Sequence, residues 1–341
     1  MAITQYSWAQ LPDKDLLKTR LCDLHLTLDG HPLHSLIAKL HQELRAKEIL
    51  LTPHIYIADD WFCPDGTTSF TIPFYLLHPR LIELERTFIG EVEGESEEHF
   101  MKLIRHEMGH VIDNAFKLRK VVRRRNLFGA SNAEYPASYE YRPHSQNYVR
   151  HIEEGYAQSH PDEDWAETFA VWLAPKSNWR KSYKNWPAFR KLDLLNTIME
   201  EKVLKTPPLF KNKKEEGSLS CLTMTLGEYF KEKRERLQLD RSNLLTPALE
   251  TFFTAKNQSN TFPLASQYLK KNKKFFSQAI GIKTEEFRYR VDQVLDSIIK
   301  GCDKSQRRIT TNLEERPEKL VKLLAGQVKD FIRKGHHKVI M

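Results

Sequence analysis

The segment Arg105-His106-Glu107-Met108-Gly109-His110-Val111-Ile112-Asp113 constrains this 341-residue chain more than any other. Two histidines four residues apart point the same way on a helix, where positions i and i+4 share a face. Both imidazoles then reach a single metal ion, and zinc accepts such ligands. Glu107, one residue after His106, sits close enough to act on a water at the metal without ligating it. Zinc lowers the pKa of that water towards ~7, and a neighbouring carboxylate accepts its proton as it attacks a carbonyl. The alternative is an ordinary helix carrying polar side chains, which would have to bury a carboxylate without a partner, at considerable cost. The helix is expected from about Glu97 to Arg119, capped by Ser96, with Phe100, Leu103, Ile104, Val111 and Ala115 inward. Gly109 leaves room on it for a close neighbour, a second helix or a sheet edge.

A zinc site with three protein ligands keeps its fourth position for water. The third ligand is sought in Tyr156-Ala157-Gln158-Ser159-His160-Pro161-Asp162-Glu163-Asp164-Trp165-Ala166-Glu167-Thr168-Phe169-Ala170. Glu163 and Glu167 are also four apart, on one face of a helix opening at Pro161 and stopping near Pro175. Stacked carboxylates divide the work: one ligates, and the other fixes the tautomer of a ligand histidine. Ala166, Phe169 and Ala170 argue that this face is packed rather than a solvated acidic turn. Asp162 and Asp164, by contrast, read as solvated first-turn residues favoured by the helix dipole. His160, held extended by Pro161, reads as a loop histidine.

His106-Glu107-Met108-Gly109-His110, followed by Asp113, together with Tyr156 and Glu163-Asp164-Trp165-Ala166-Glu167, resembles the gluzincin metallopeptidases. The likeness is strongest to their bacterial zinc-binding metallopeptidase group. Anthrax lethal factor and the titration-factor peptidases are more distantly similar. Asp60-Trp61-Phe62-Cys63-Pro64-Asp65-Gly66 and Ile72-Pro73-Phe74-Tyr75-Leu76-Leu77-His78-Pro79-Arg80-Leu81 look like that group too, so the resemblance covers roughly residues 20–200. It implies a zincin-like fold, zinc as cofactor and hydrolysis of a peptide or protein substrate. Glu163 would be the third ligand beside His106 and His110, Glu107 the general base, and Tyr156 the support for the oxyanion. Glu167 and Asp113 would stand behind the ligands.

The rest of the chain suggests an α+β domain over 1–205, a linker over 206–217 around Pro207-Pro208, and a basic, mainly helical domain over 218–341. All six tryptophans lie before residue 200. Residues 1–200 hold 24 Lys+Arg against 28 Asp+Glu, net −4, whereas 201–341 hold 29 against 17, net +12. A sign change this large marks two different surfaces. Leu33–Leu50 reads as an amphipathic helix. Ile55-Tyr56-Ile57 and Ser69–Leu77 read as short strands joined through the Pro64-Asp65-Gly66 turn, the second offering an edge to an extended substrate. Further helices are expected at Leu226–Leu237, Phe275–Ile282, Glu285–Ile299 and Lys319–Arg333. Arg119–Arg125 reads as a solvated basic helix end.

Cys22, Cys63, Cys221 and Cys302 form no CxxC pair, which points to reduced thiols and a cytoplasmic protein. No signal peptide or membrane-spanning stretch is expected. Two rival readings stand beside the peptidase: a non-catalytic zinc-binding scaffold, and a basic half that binds nucleic acid or an acidic partner under a regulatory metal site.

Overall fold

Apolar spacing shapes the first elements. The computed structural model describes residues 6–204, 215–237, 249, 252–254, 263–286, 288–309, 317–333 and 339–340. Helix α1 (Leu33–Ala46) buries Leu36, Ile37, Leu40 and Leu44, the three-and-four spacing of a one-sided helix. It ends before Leu50 because Glu48 takes a left-handed φ of 58°.

Strands β1 (His54–Ala58) and β2 (Ser69–Pro73) follow as expected, but they pair in parallel, His54 opposite Ser69 and Ala58 opposite Pro73. Pro64-Asp65-Gly66 is therefore part of a crossover and not a hairpin turn. Thr71 folds that crossover back along β2. Its hydroxyl donates to Asp60 O at 2.7 Å and accepts from Phe62 N at 2.9 Å, while its own N–H donates to Phe62 O at 3.0 Å. The free edge of β2 is thus occupied, and every residue of the strand is buried. Phe74–Leu77 is a buried 3-10 turn. This segment is not the open substrate edge that its composition suggested.

Further helices before residue 204 include α2 (Pro79–Phe88), α3 (Glu97–Phe116), α4 (Val122–Phe128), α5 (Pro161–Leu173) and α6 (Phe189–Ile198). Ser96 caps α3 by accepting from His99 N at 3.1 Å. The helix stops three residues short of Arg119 because Lys117 turns left-handed, with φ of 51°. Histidine–proline pairs open α2 and α5. His78 Nδ1 accepts from Arg80 N, and His160 Nδ1 accepts from Asp162 N, each at 3.1 Å, with the following proline supplying the helical φ. Helices with a small sheet make this an α+β arrangement.

The chain divides into two compact units, Met1–Leu237 and Gln238–Ile340. The boundary expected at 206–217 differs from this division, and its residues 206–214 lie outside the described part of the chain. Helix α7 (Leu226–Arg236) explains the difference. Phe230 stacks on Phe88 with ring centres 4.7 Å apart, and Lys233 Nζ donates to Glu85 Oε1 at 2.7 Å and to the Tyr229 hydroxyl at 3.0 Å. Residues 218–237 therefore complete the first core.

The second unit has its own core of Phe276, Ile280, Val294, Leu295, Leu324 and Val328. Helices α8 (Ala265–Lys271), α9 (Lys273–Thr284), α10 (Arg288–Lys304) and α11 (Pro317–Arg333) build it, with a short antiparallel pair, Phe253–Thr254 against Arg308–Ile309. The four cysteines form no disulfide. Among the described residues no helix is long and apolar enough to cross a membrane.

Glu85 and Lys233 are both buried, so removing one partner strands the other. Lys233→Ala is expected to destabilise the chain by about 3–5 kcal/mol, whereas the double change Glu85→Leu/Lys233→Met recovers most of that loss. Denaturant unfolding of the two variants checks this.

Candidate metal centre

A glycine sets how closely α3 and α5 approach. A Cβ on Gly109 would stand 2.8 Å from Ala166 Cα and 3.1 Å from Ala166 O. The close neighbour is thus a helix, and Trp165 Nε1 ties the two together by donating to Gly109 O at 3.2 Å. This crossing sets the histidines of α3 against the glutamates of α5.

Three ligand atoms converge there. Glu163 Oε2 lies 3.0 Å from His106 Nε2 and 3.3 Å from His110 Nε2, and the two nitrogens are 3.2 Å apart. Ligands 2.0–2.1 Å from a tetrahedral zinc stand about 3.3–3.4 Å from one another, so the spacing suits a shared ion. All three residues are buried, and together they form a group placed to hold a metal ion.

Electrostatics point the same way. Burial alone would lower the pKa of His106, but hydrogen bonds to Glu163 and Glu167 hold it well above the ordinary histidine value. Burial alone would raise Glu163, but His110 and His106 hold its carboxyl well below the usual range. The two shifts are the two sides of one buried ion pair, whose protons a bound divalent cation would displace.

The two glutamates of α5 take different parts. Glu167 Oε1 accepts from His106 Nδ1 at 2.9 Å, and Oε2 accepts from Ile152 N at 2.9 Å. Both of its oxygens are committed. Because Nδ1–H of His106 is donated to Glu167, it is Nε2 that faces Glu163 and is left to ligate a metal once its proton is displaced. Glu163 turns only Oε2 to the histidines.

Glu107 is buried beside this cluster, and its Oε2 has no hydrogen-bond partner. Burial raises its pKa above the usual carboxylate value. Tyr156 packs its ring 5.5 Å from that of His106, centre to centre. All the residues expected at the centre are thus gathered there except Asp113. That carboxylate lies behind the site: its Oδ2 accepts from Arg124 at 2.7 Å and from Arg119 at 3.3 Å. Arg124 also donates to Asp162 Oδ1 at 2.9 Å. Asp113 therefore locks α3 to α5 through an arginine and makes no hydrogen bond to a ligand histidine.

Several charged residues depart from expectation in the same way. Asp162 and Asp164 are buried, the latter 2.6 Å from Lys191 Nζ. Arg124 is fully buried and Arg119 partly so, whereas Lys120, Arg123 and Arg125 are exposed, so the basic run after α3 is a solvated end only in part. His160 is a buried helix cap with both nitrogens engaged, its Nε2 donating to Ala133 O at 3.0 Å. Tyr135 carried no motif signal, yet its hydroxyl donates to Glu163 Oε1 at 2.8 Å. Only its place in the loop before α5 could have drawn notice.

A family model described as "Putative zinc-binding metallo-peptidase" matches residues 81–184. Zinc is the ion this centre is fitted for. The match spans α3, α5 and the loop between them, and so contains every member of the cluster. No curated protein and no solved structure matches the chain.

Glu163→Ala is expected to cost more zinc affinity than Glu167→Ala. The first change removes a ligand, whereas loss of an orienting partner typically costs about 10–100-fold. Chelator competition on both variants decides the order, and the reverse order would move the ligand to Glu167.

Proposed function

We propose that this chain is a zinc-dependent metallopeptidase of the gluzincin type, its first unit a zincin-like domain that hydrolyses bonds in peptide or protein substrates. One observation carries the reading: an unpartnered, buried Glu107 carboxylate stands beside the convergent His106, His110 and Glu163 atoms. A general base needs such an oxygen free, and Glu107 offers one next to the atoms that would hold the metal.

Bound zinc supplies Lewis acidity to a substrate carbonyl and lowers the pKa of a water towards ~7. The remaining work belongs to the chain. Glu107 takes a proton from the attacking water and hands it to the leaving amine. Burial, which raises its pKa, makes it a stronger base than a solvated glutamate and a competent acid afterwards. The Tyr156 hydroxyl donates to the oxyanion as charge develops. Glu167 holds His106 in the tautomer that ligates. Because every residue in these roles lies in the first unit, the basic second unit is assigned to the choice of substrate or partner.

Glu107→Gln separates this reading from a non-catalytic zinc scaffold. The variant is expected to keep one metal per chain while hydrolysis of a peptide library falls by about 10²–10⁴-fold. Undiminished turnover would remove Glu107 from the reaction. Absence of turnover in the metal-loaded parent would favour the scaffold.

A further inference from the structure

Tyr135 hydrogen-bonds to the metal cluster, and the proposed reaction gives it no part. Its ring carries a hydroxyl on a residue that is nearly half-exposed, at 49%. Even so, that hydroxyl donates to the buried Glu163 at 2.8 Å. Such a bond persists only if the loop carrying it is ordered, and ordering a loop costs conformational entropy.

Three contacts order it. Arg124 Nη1 donates to Ser131 Oγ at 2.8 Å. His160 Nε2 donates to Ala133 O at 3.0 Å. The Tyr135 ring lies flat on the His160 imidazole, centres 3.7 Å apart and planes within 15°. Each anchor also grips the first turn of α5, for His160 caps Asp162 N and Arg124 binds the Asp162 carboxylate. The loop starts against the same turn at Gly129, where φ is +108° and a Cβ would meet Pro161 Cγ at 2.9 Å. Residues 129–135 thus form a strap fastened to the helix that bears Glu163.

We propose that Tyr135 is a positioning residue that restricts Glu163 to one-oxygen ligation and so keeps a coordination position open for water and substrate. The proposal rests on the zinc-centre reading above. Glu163 Oε2 faces His106 and His110, while Oε1 is committed to the tyrosine hydroxyl. Without that donor both oxygens are available to a divalent ion, and the second would take the place that a catalytic zinc site leaves to water. Stacking on His160 aims the hydroxyl, and the helix cap in turn holds His160 still. Tyr135 acts through Glu163 and touches no reacting atom.

Cobalt(II) substitution reads the coordination number directly, because four-coordinate cobalt absorbs visible light much more strongly than five-coordinate cobalt. The full-length chain is compared with Tyr135→Phe, which keeps the ring on His160, and with His160→Asn, which keeps a capping side chain but removes the stack. Both variants are expected to retain one metal per chain, to lose visible absorbance, and to turn over about 10–100-fold more slowly. Metal-loaded variants whose spectra match that of the parent would overturn the role of Tyr135 alone. A parent chain that takes up neither cobalt nor zinc would overturn the metal-centre reading as well, so the two failures are distinct.

Discussion

A buried carboxylate set against two imidazole nitrogens is the interaction on which the rest of the site depends. Glu163 Oε2 and the Nε2 atoms of His106 and His110 stand 3.0–3.3 Å apart, too close for lone pairs to face one another without a cation. Such a group is stable only when positive charge is shared among its members and each outer atom is held by a partner. The surroundings supply such partners to His106 and Glu163. Glu167 takes the back of His106, Tyr135 takes the back of Glu163, and Gly109 lets the two helices close around the cluster.

Behind this layer lies a second one of full charges. Arg124 bridges Asp113 and Asp162, Arg119 reaches both, and Lys191 answers Asp164. None of their hydrogen bonds goes to His106, His110 or Glu163. They fix the separation and rotation of α3 and α5, which settles whether three ligand atoms meet at one point. Ion pairs in a dry interior add little net stability, but removing one partner is costly, so they penalise every misaligned packing of the two helices.

The centre was more legible in the sequence than the frame around it. His106, Glu107 and His110 announce themselves by spacing on one helix, and the Glu163/Glu167 pair repeats that spacing on a second. The cost of burying such groups makes accident a poor explanation. The frame was harder because its signals are not local. Asp162, Asp164 and Arg124 resemble ordinary surface residues until the partners that bury them are known, and those partners come from other helices. The parallel pairing of β1 and β2 depends on Thr71 gathering the crossover back along the sheet, which no turn motif encodes. The prolines near 207 drew the boundary too early because the apolar face of α7 fits a core formed far earlier in the chain. Tyr135 has neither spacing nor periodicity, and only the fold brings it to Glu163.

The central claim is that zinc holds His106, His110 and Glu163 together, and thermal unfolding with and without a chelator tests it most directly. One zinc per chain in the purified protein, a midpoint lowered by several degrees on stripping, and recovery on adding back zinc are the results expected. A ligand present at about 1,000 times its Kd contributes roughly 4 kcal/mol to stability. A chain that carries no metal, and whose unfolding is indifferent to both chelator and added zinc, would contradict the account.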